Sequence, residues 1–122
     1  MALGILIVDD NSLFLDAARG FLEREGMRVV GVASTSAEAL RHAEELRPEV
    51  VLVDIMLGPE SGFELARRLA ESDCGGPAVI LISTHSEADF ADLIAESPSA
   101  GFLSKSELSA DGIRRIVNGR TR

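Results

Sequence analysis

The chain has 122 residues, of which 46% are hydrophobic and 26% are charged, a composition that indicates a single folded domain, 1–122, and excludes a disordered chain. No apolar run approaches the roughly 20 residues that a membrane-spanning helix needs, and the N-terminus lacks the pattern of a secretory signal peptide, so we expect a cytoplasmic protein without membrane attachment. The formal net charge of −8 repels a phosphate backbone, and we expect no direct nucleic-acid binding by this segment.

Five short apolar runs predict the strands of a sheet that is buried on both faces. Their hydrophobic character is continuous rather than alternating, which is typical of parallel strands. The predicted strands are, in chain order, Leu3–Val8, Arg28–Ala33, Val50–Val53, Ala78–Ile82 and Gly101–Leu103.

Amphipathic helical patterns fill the intervals between these strands. They cover Asn11–Arg24, a segment from Thr35 to the residue before Pro48, Ser61–Glu71, a segment from Ser86 to about Glu96, and Glu107–Asn118. Strand and helix therefore alternate five times. This alternation predicts a doubly wound α/β domain of flavodoxin-like type, with a five-stranded parallel sheet and helices on both faces.

Several local details can be compared with a structure. Phe21 in the first helix and Leu46 in the second lie three or four residues from other apolar side chains, so we expect both to face the core. Thr35 and Ser86 each begin a capping pattern, with an acidic residue three positions later, and are expected to cap the helices that follow. Cys74 has no second cysteine or nearby histidine to activate it, and we interpret it as a bystander thiol.

Polar side chains lie where four of the predicted strands end. Asp9 and Asp10 follow the first strand, Asp54 the third, Ser83 the fourth, and Lys105 stands two residues beyond the fifth. Because the carboxyl ends of parallel strands share one edge of the sheet, we expect these side chains to meet there. An aspartate after a strand is usually a helix cap or a turn former, so it is the co-occurrence of these residues that indicates a site.

The residue types at this edge suit phosphoryl transfer. Neighbouring carboxylates repel one another and favour a bound cation, and Mg²⁺ is the expected cofactor because it accepts few carboxylates beside phosphoryl oxygens. We predict that Asp54 is the phosphoryl-accepting nucleophile and that Asp9 and Asp10 hold Mg²⁺. Lys105 is expected to balance the phosphoryl charge, and Ser83 to donate its hydroxyl to a phosphoryl oxygen.

Over nearly its whole length the chain resembles the receiver domains of two-component response regulators. The family has an acidic pair after strand one, a phospho-accepting Asp after strand three, a Ser or Thr after strand four and a Lys after strand five. The resemblance implies that the backbone carbonyl of Met56 is a further metal ligand, and that Ser83 and Phe102 form the switch that responds to phosphorylation. Ser106 is a departure, because the family commonly has a cis proline there, and it leaves the geometry of that loop open.

The resemblance also implies a regulatory domain rather than an enzyme, with at most self-phosphorylation and slow autodephosphorylation. The expected partner is a cognate histidine kinase, and a homodimer formed through the last helices is the expected readout. The segment Ala100–Leu108 resembles receivers that carry a C-terminal helix-turn-helix domain, so a DNA-binding domain beyond Arg122 is a further expectation.

Three alternatives remain beside this interpretation. The first is a receiver-shaped domain that acts independently of phosphorylation. The second is a Mg²⁺-dependent aspartyl-phosphate phosphohydrolase, but such enzymes carry an acid two residues after the nucleophile, where this chain has Met56. The third is a flavodoxin-like nucleotide binder, which needs a loop rich in Gly, Ser or Thr after the first strand, where Asp9 and Asp10 stand.

Overall fold

The central sheet has five parallel strands, which confirms the predicted flavodoxin-like α/β fold. The computed structural model describes residues 3–71 and 77–120, so the interpretation of Cys74 lies outside the described residues. The strands of the sheet are β1 Gly4–Val8, β2 Arg28–Ala33, β3 Val50–Asp54, β6 Ala78–Ser83 and β7 Gly101–Ser104. They lie side by side in the order β2-β1-β3-β6-β7. Between β3 and β6, the short strands β4 Met56–Leu57 and β5 Glu60–Ser61 form an antiparallel hairpin.

Five α-helices are present in the described ranges of the chain. They are α1 Ser12–Arg24, α2 Ser36–Leu46, α3 Gly62–Ala70, α4 Ala91–Glu96 and α5 Ala110–Arg120. Short 3₁₀ turns, Glu87–Phe90 and Lys105–Glu107, lead into α4 and towards α5. Within these ranges, no helix combines the length and the apolar character that crossing a membrane requires.

The sheet separates two hydrophobic cores, and β1 contributes to both. Ile5 and Ile7 pack with α1 and α5 on one face, whereas Leu6 and Val8 pack with α2 and α3 on the other. Each fully buried side chain of this kind stabilises the fold by about 1.5–3 kcal/mol. The central strands are thus fixed from both sides, and their carboxyl ends are held at one edge.

Side-chain caps fix the beginnings of three helices. Asn11 caps α1, Thr35 caps α2 and Ser61 caps α3, each by accepting hydrogen bonds from backbone N–H groups of the first turn. The prediction of a cap at Ser86 is wrong, because its side chain makes no capping hydrogen bond. The backbone carbonyl of Ser86 instead accepts from the N–H of Asp89, which closes a 3₁₀ turn before α4 begins.

Two side chains that were predicted to face the core are substantially exposed. Phe21 is 36% exposed, because the buried stripe of α1 runs through Leu15, Ala18 and Leu22 and leaves Phe21 at its border. Leu46 is 42% exposed, because it lies over Gly31 of β2, the outermost strand of the sheet, where little structure covers it.

Candidate functional site

The carboxyl ends of β1, β3, β6 and β7 bring the predicted site residues to one edge of the sheet. Asp54 is the last residue of β3, Ser83 is the last residue of β6, and Asp9 directly follows β1. The backbone N–H of Asp9 donates to Ala33 of β2 at 3.0 Å, which continues the pairing of β1 with its neighbour. Asp9, Asp54 and Ser83 are all buried, so this edge of the sheet places polar side chains next to the hydrophobic core.

Asp9, Asp10 and Asp54 form a cluster of carboxylates. Each offers one oxygen, and the three oxygens lie within 4.8 Å of one another. Asp10 is exposed, whereas Asp9 and Asp54 are buried. Oδ1 of Asp9 accepts from the N–H of Asn11 at 2.8 Å, but its buried Oδ2 receives no hydrogen bond of good geometry. A compact set of hard oxygen ligands suits a divalent cation such as Mg²⁺.

Lys105 bridges two of these carboxylates. Its Nζ lies 2.5 Å from Oδ2 of Asp9 and 3.2 Å from Oδ2 of Asp54, and the side chain is only 14% exposed. On another side the same Nζ stands over the ring of Phe14, 4.3 Å from its centroid. The ammonium group is therefore enclosed by two carboxylates and an aromatic face.

The pKa values of Asp54 and Lys105 are both raised. Burial raises the pKa of Asp54, and the charge of Asp9 adds to this, while the Met56 N–H and Lys105 lower it in part. Burial on its own lowers the pKa of Lys105, but the hydrogen bonds and charges of Asp9 and Asp54 outweigh it and raise that pKa. The site is thus crowded with negative charge that one ammonium group only partly compensates.

The loop after β3 positions the Asp54 carboxylate through a backbone hydrogen bond. Oδ1 of Asp54 accepts from the N–H of Met56 at 3.2 Å, and the Met56 side chain is 56% exposed. Gly58 has φ +60°, a left-handed conformation that allows the tight turn between β4 and β5. The N–H of Gly62 then donates to the carbonyl of Ile55 at 2.8 Å and closes the loop.

Ser83 is the last residue of β6, and Phe102 lies within the neighbouring strand β7. Oγ of Ser83 accepts from the N–H of His85 at 3.0 Å. Phe102 is half-buried against the core that α2 and α3 form. It borders a groove of about 300 Å³, which the loops after β6 and β7 line with Thr84, His85, Ser86, Glu87, Ser104, Ser106 and Glu107.

Ser106 adopts ordinary backbone geometry where the family commonly has a cis proline. The described residues contain no cis peptide bond. Oγ of Ser104 donates to Glu107 Oε1 at 2.9 Å and lies 3.2 Å from Oγ of Ser106. These contacts stabilise the 3₁₀ turn Lys105–Glu107, which begins with the lysine of the site.

Two features of the site were not predicted from the sequence. The hairpin of β4 and β5 was not predicted, although Gly58-Pro59 between them is a turn signal. The place of Phe14 in the site was not predicted either, because its side chain also belongs to the apolar face with which α1 packs on the core. Its contact with Lys105 joins distant parts of the chain, and no sequence spacing indicates it.

Comparisons with known proteins agree with this geometry. A family model described as the response regulator receiver domain matches residues 5–117. Over 120 residues the chain is 30% identical to the response regulator GacA of Pseudomonas aeruginosa, a match covering 95% of this chain and 56% of GacA. It is 38% identical over 85 residues to a protein-glutamate methylesterase/protein-glutamine glutaminase of Hahella chejuensis, covering 70% of this chain and 24% of that protein.

Solved structures show the same similarity over nearly the whole chain. The signal receiver domain of the putative response regulator NarL from Mycobacterium tuberculosis superposes with a TM-score of 0.84 at 26% identity. That match covers 97% of this chain and 98% of the other. By contrast, the chain spans only about half the length of GacA and about a quarter of the methylesterase.

Proposed function

The chain belongs to the family of response regulator receiver domains, and on that premise we propose that Asp54 accepts a phosphoryl group from the phosphohistidine of a histidine kinase. The observation that carries the proposal is the convergence of Asp9, Asp10 and Lys105 on the Asp54 carboxylate. Receiver domains are regulatory, so the phosphorylated state is the signal rather than an intermediate in the turnover of a substrate.

The transfer exchanges one bond to phosphorus for another. A carboxylate oxygen of Asp54 forms a bond to phosphorus while the phosphorus–nitrogen bond of the donor breaks, and the imidazole leaves with the electron pair and takes a proton from solvent. The product is an acyl phosphate on Asp54. Slow attack by water later returns the carboxylate and inorganic phosphate. The domain thus modifies only itself, and the proposal includes no repeated conversion of a separate substrate.

The proposed cofactor is Mg²⁺, which when bound supplies positive charge against the phosphoryl oxygens. Asp9, Asp10, Asp54 and the backbone carbonyl of Met56 are the residues that would hold it. Lys105 balances the charge of the transferred group, since its ammonium already contacts Asp54. The hydroxyl of Ser83 donates to a phosphoryl oxygen, and its present role as acceptor from the His85 N–H leaves its own proton available for this.

The readout of this change is proposed to pass through Ser83 and Phe102. As the Ser83 hydroxyl turns to the phosphoryl group, the Phe102 ring moves into the groove that it borders, and because the ring lacks a hydroxyl it moves by packing alone. The surface of α4 and α5 then changes, and homodimerisation through these last helices is the proposed consequence. A cytoplasmic location and a DNA-binding domain beyond Arg122 stay predictions.

A phosphohydrolase function is less well supported. That chemistry needs a proton-transferring acid two residues after the nucleophile, and Met56 offers only a thioether there. The other alternative is a receiver that acts without phosphorylation, and the following experiment distinguishes it from the proposed function.

The test is phosphorylation by a small-molecule donor. Wild type and Asp54→Asn are incubated with acetyl phosphate and Mg²⁺ and weighed intact, with Asp16→Asn on the exposed face of α1 as the matched control. Wild type and the control should gain one phosphate, and Asp54→Asn none. A wild type that gains no phosphate under these conditions contradicts the proposal, as does an Asp54→Asn variant that is labelled as fully as wild type.

A further inference from the structure

We infer that Phe14 is a positioning residue for Lys105, whose aromatic face holds the ammonium group beside Asp54. The inference rests on the proposed function, since it assigns Phe14 a part in the same phosphoryl transfer. It comes from the contact of Lys105 Nζ with the Phe14 ring at 4.3 Å, a distance well within the range of a cation–π interaction.

The contact closes a ring of interactions around the site. Oδ1 of Asp9 accepts from the N–H of Asn11, and Oδ1 of Asn11 accepts from the N–H of Phe14 at 3.3 Å. The Phe14 ring lies against Lys105, and Lys105 returns to Asp9 through its other carboxylate oxygen. The cap of α1 therefore fixes where the Phe14 ring stands relative to the carboxylates.

An aromatic face suits this position because it attracts the ammonium group without adding another negative charge to the site. The lysine side chain is flexible and mostly removed from water here, so its ammonium needs a partner on every side. Asp9 and Asp54 supply charge on one side. The face of Phe14 supplies a weaker attraction on the other, and this second contact favours the position of the ammonium group beside the carboxylates.

The role of Phe14 differs from that of Asp9 in one respect. The Asp9 carboxylate that contacts Lys105 also belongs to the cluster suited to a cation, so two positive groups compete for its charge. The contact with Phe14 involves no carboxylate and does not take part in this competition. Phe14 thus keeps Lys105 beside Asp54 when the charge of Asp9 is used elsewhere.

The experiment compares Phe14→Leu, which keeps an apolar side chain but removes the aromatic face, with Phe14→Tyr, which keeps the face. Phe21→Leu on the same helix is the matched control, because Phe21 is partly exposed and is not a residue of the site. The first measurement is the rate of phosphorylation by acetyl phosphate with Mg²⁺. Phe14→Leu should be slower by about fivefold, the size expected for a cation–π contact, while Phe14→Tyr and Phe21→Leu stay near wild type.

The second measurement does not depend on phosphorylation. In the NMR spectrum of the metal-free, unphosphorylated protein, the methylene protons next to Nζ of Lys105 should be shifted upfield by the Phe14 ring current. The shift should persist in Phe14→Tyr and Phe21→Leu and be lost in Phe14→Leu. Its presence in wild type and loss in Phe14→Leu also verifies that the variant has lost the contact and not its fold, provided the other amide signals keep their positions.

The outcomes separate this inference from the proposed function. If wild type is phosphorylated but Phe14→Leu reacts at the same rate, the positioning role of Phe14 is overturned and the proposed function stands. A Phe14→Tyr variant as slow as Phe14→Leu overturns it too, because the ring would then not be the relevant feature. If wild type is not phosphorylated at all, the proposed function fails first.

Discussion

Gly62 begins α3 directly behind Asp54, and the absence of its side chain allows the loop after β3 to close. A Cβ atom at this position would lie 2.1 Å from the backbone oxygen of Asp54 and 2.8 Å from Cα of Ile55. Both are backbone atoms of the strand end, so neither can move aside without displacing the proposed acceptor. The close approach, rather than an unusual backbone angle, is what requires glycine here.

Gly62→Ala is therefore expected to destabilise the domain by about 3 kcal/mol or more, at the upper end of overpacking effects. The measurement is the free energy of unfolding in urea. Gly20→Ala is the matched control, since a Cβ there meets only the end of the flexible Arg24 side chain at 3.4 Å. Replacing a glycine within α1 should stabilise the control by about 0.5–1 kcal/mol. Equal stabilities of the two variants would contradict the account of the loop.

Asp10 is the exposed member of the carboxylate cluster, and its removal tests the proposed metal site. Asp10→Ala should bind Mg²⁺ at least about tenfold more weakly in calorimetric titration, because a direct oxygen ligand is lost. In metal-free buffer the variant should be no less stable than wild type, since a source of repulsion near Asp54 is removed. Asp16→Ala, which removes an exposed acid outside the cluster, should bind Mg²⁺ as wild type does. Unchanged affinity in Asp10→Ala would refute the ligand assignment.

At the scale of elements, the loops and helix beside β6 and β7 are the least firmly held part of the site. α4 has six residues and none of them is buried, and Leu93 on it is half exposed. A helix with few buried contacts opens or shifts at low cost. By contrast, the strands that carry Asp54 and Ser83 are buried throughout, so we expect a change at Ser83 to be passed to the neighbouring loops rather than absorbed by the sheet.

Phosphorylation is accordingly expected to shift backbone amide signals around residues 88–94 and 113–117 more than those of β1 or β3. The measurement is an amide NMR spectrum before and after addition of acetyl phosphate with Mg²⁺, with sedimentation of the same samples to follow association. Asp54→Asn treated in the same way should show none of these shifts, and Phe102→Leu should show smaller ones. Phosphorylated protein with unchanged signals in both segments and unchanged association would rule out this switch.

At the scale of the whole molecule, the sheet and the site were predictable for the same reason. Strands buried on both faces are continuous apolar runs, and in a parallel sheet their ends must converge, so Asp54 and Ser83 were correctly expected at one edge. The exposure of Phe21 and Leu46 was not predictable, because periodicity gives the direction of a helix face but not how far the sheet beneath it extends. The contact of Phe14 with Lys105 depends on how α1 packs against the loop after β7, which no local pattern records.

The most direct test of Asp54 as the phosphoryl acceptor is to locate the phosphoryl group chemically. The protein is incubated with acetyl phosphate and Mg²⁺, treated with borohydride, which reduces an aspartyl phosphate to homoserine, and mapped by peptide mass spectrometry. We expect homoserine at position 54, at no other aspartate, and in no sample that lacked the donor. Homoserine at Asp9 or Asp10 instead, or an intact protein that carries phosphate while position 54 remains unreduced, would contradict this assignment.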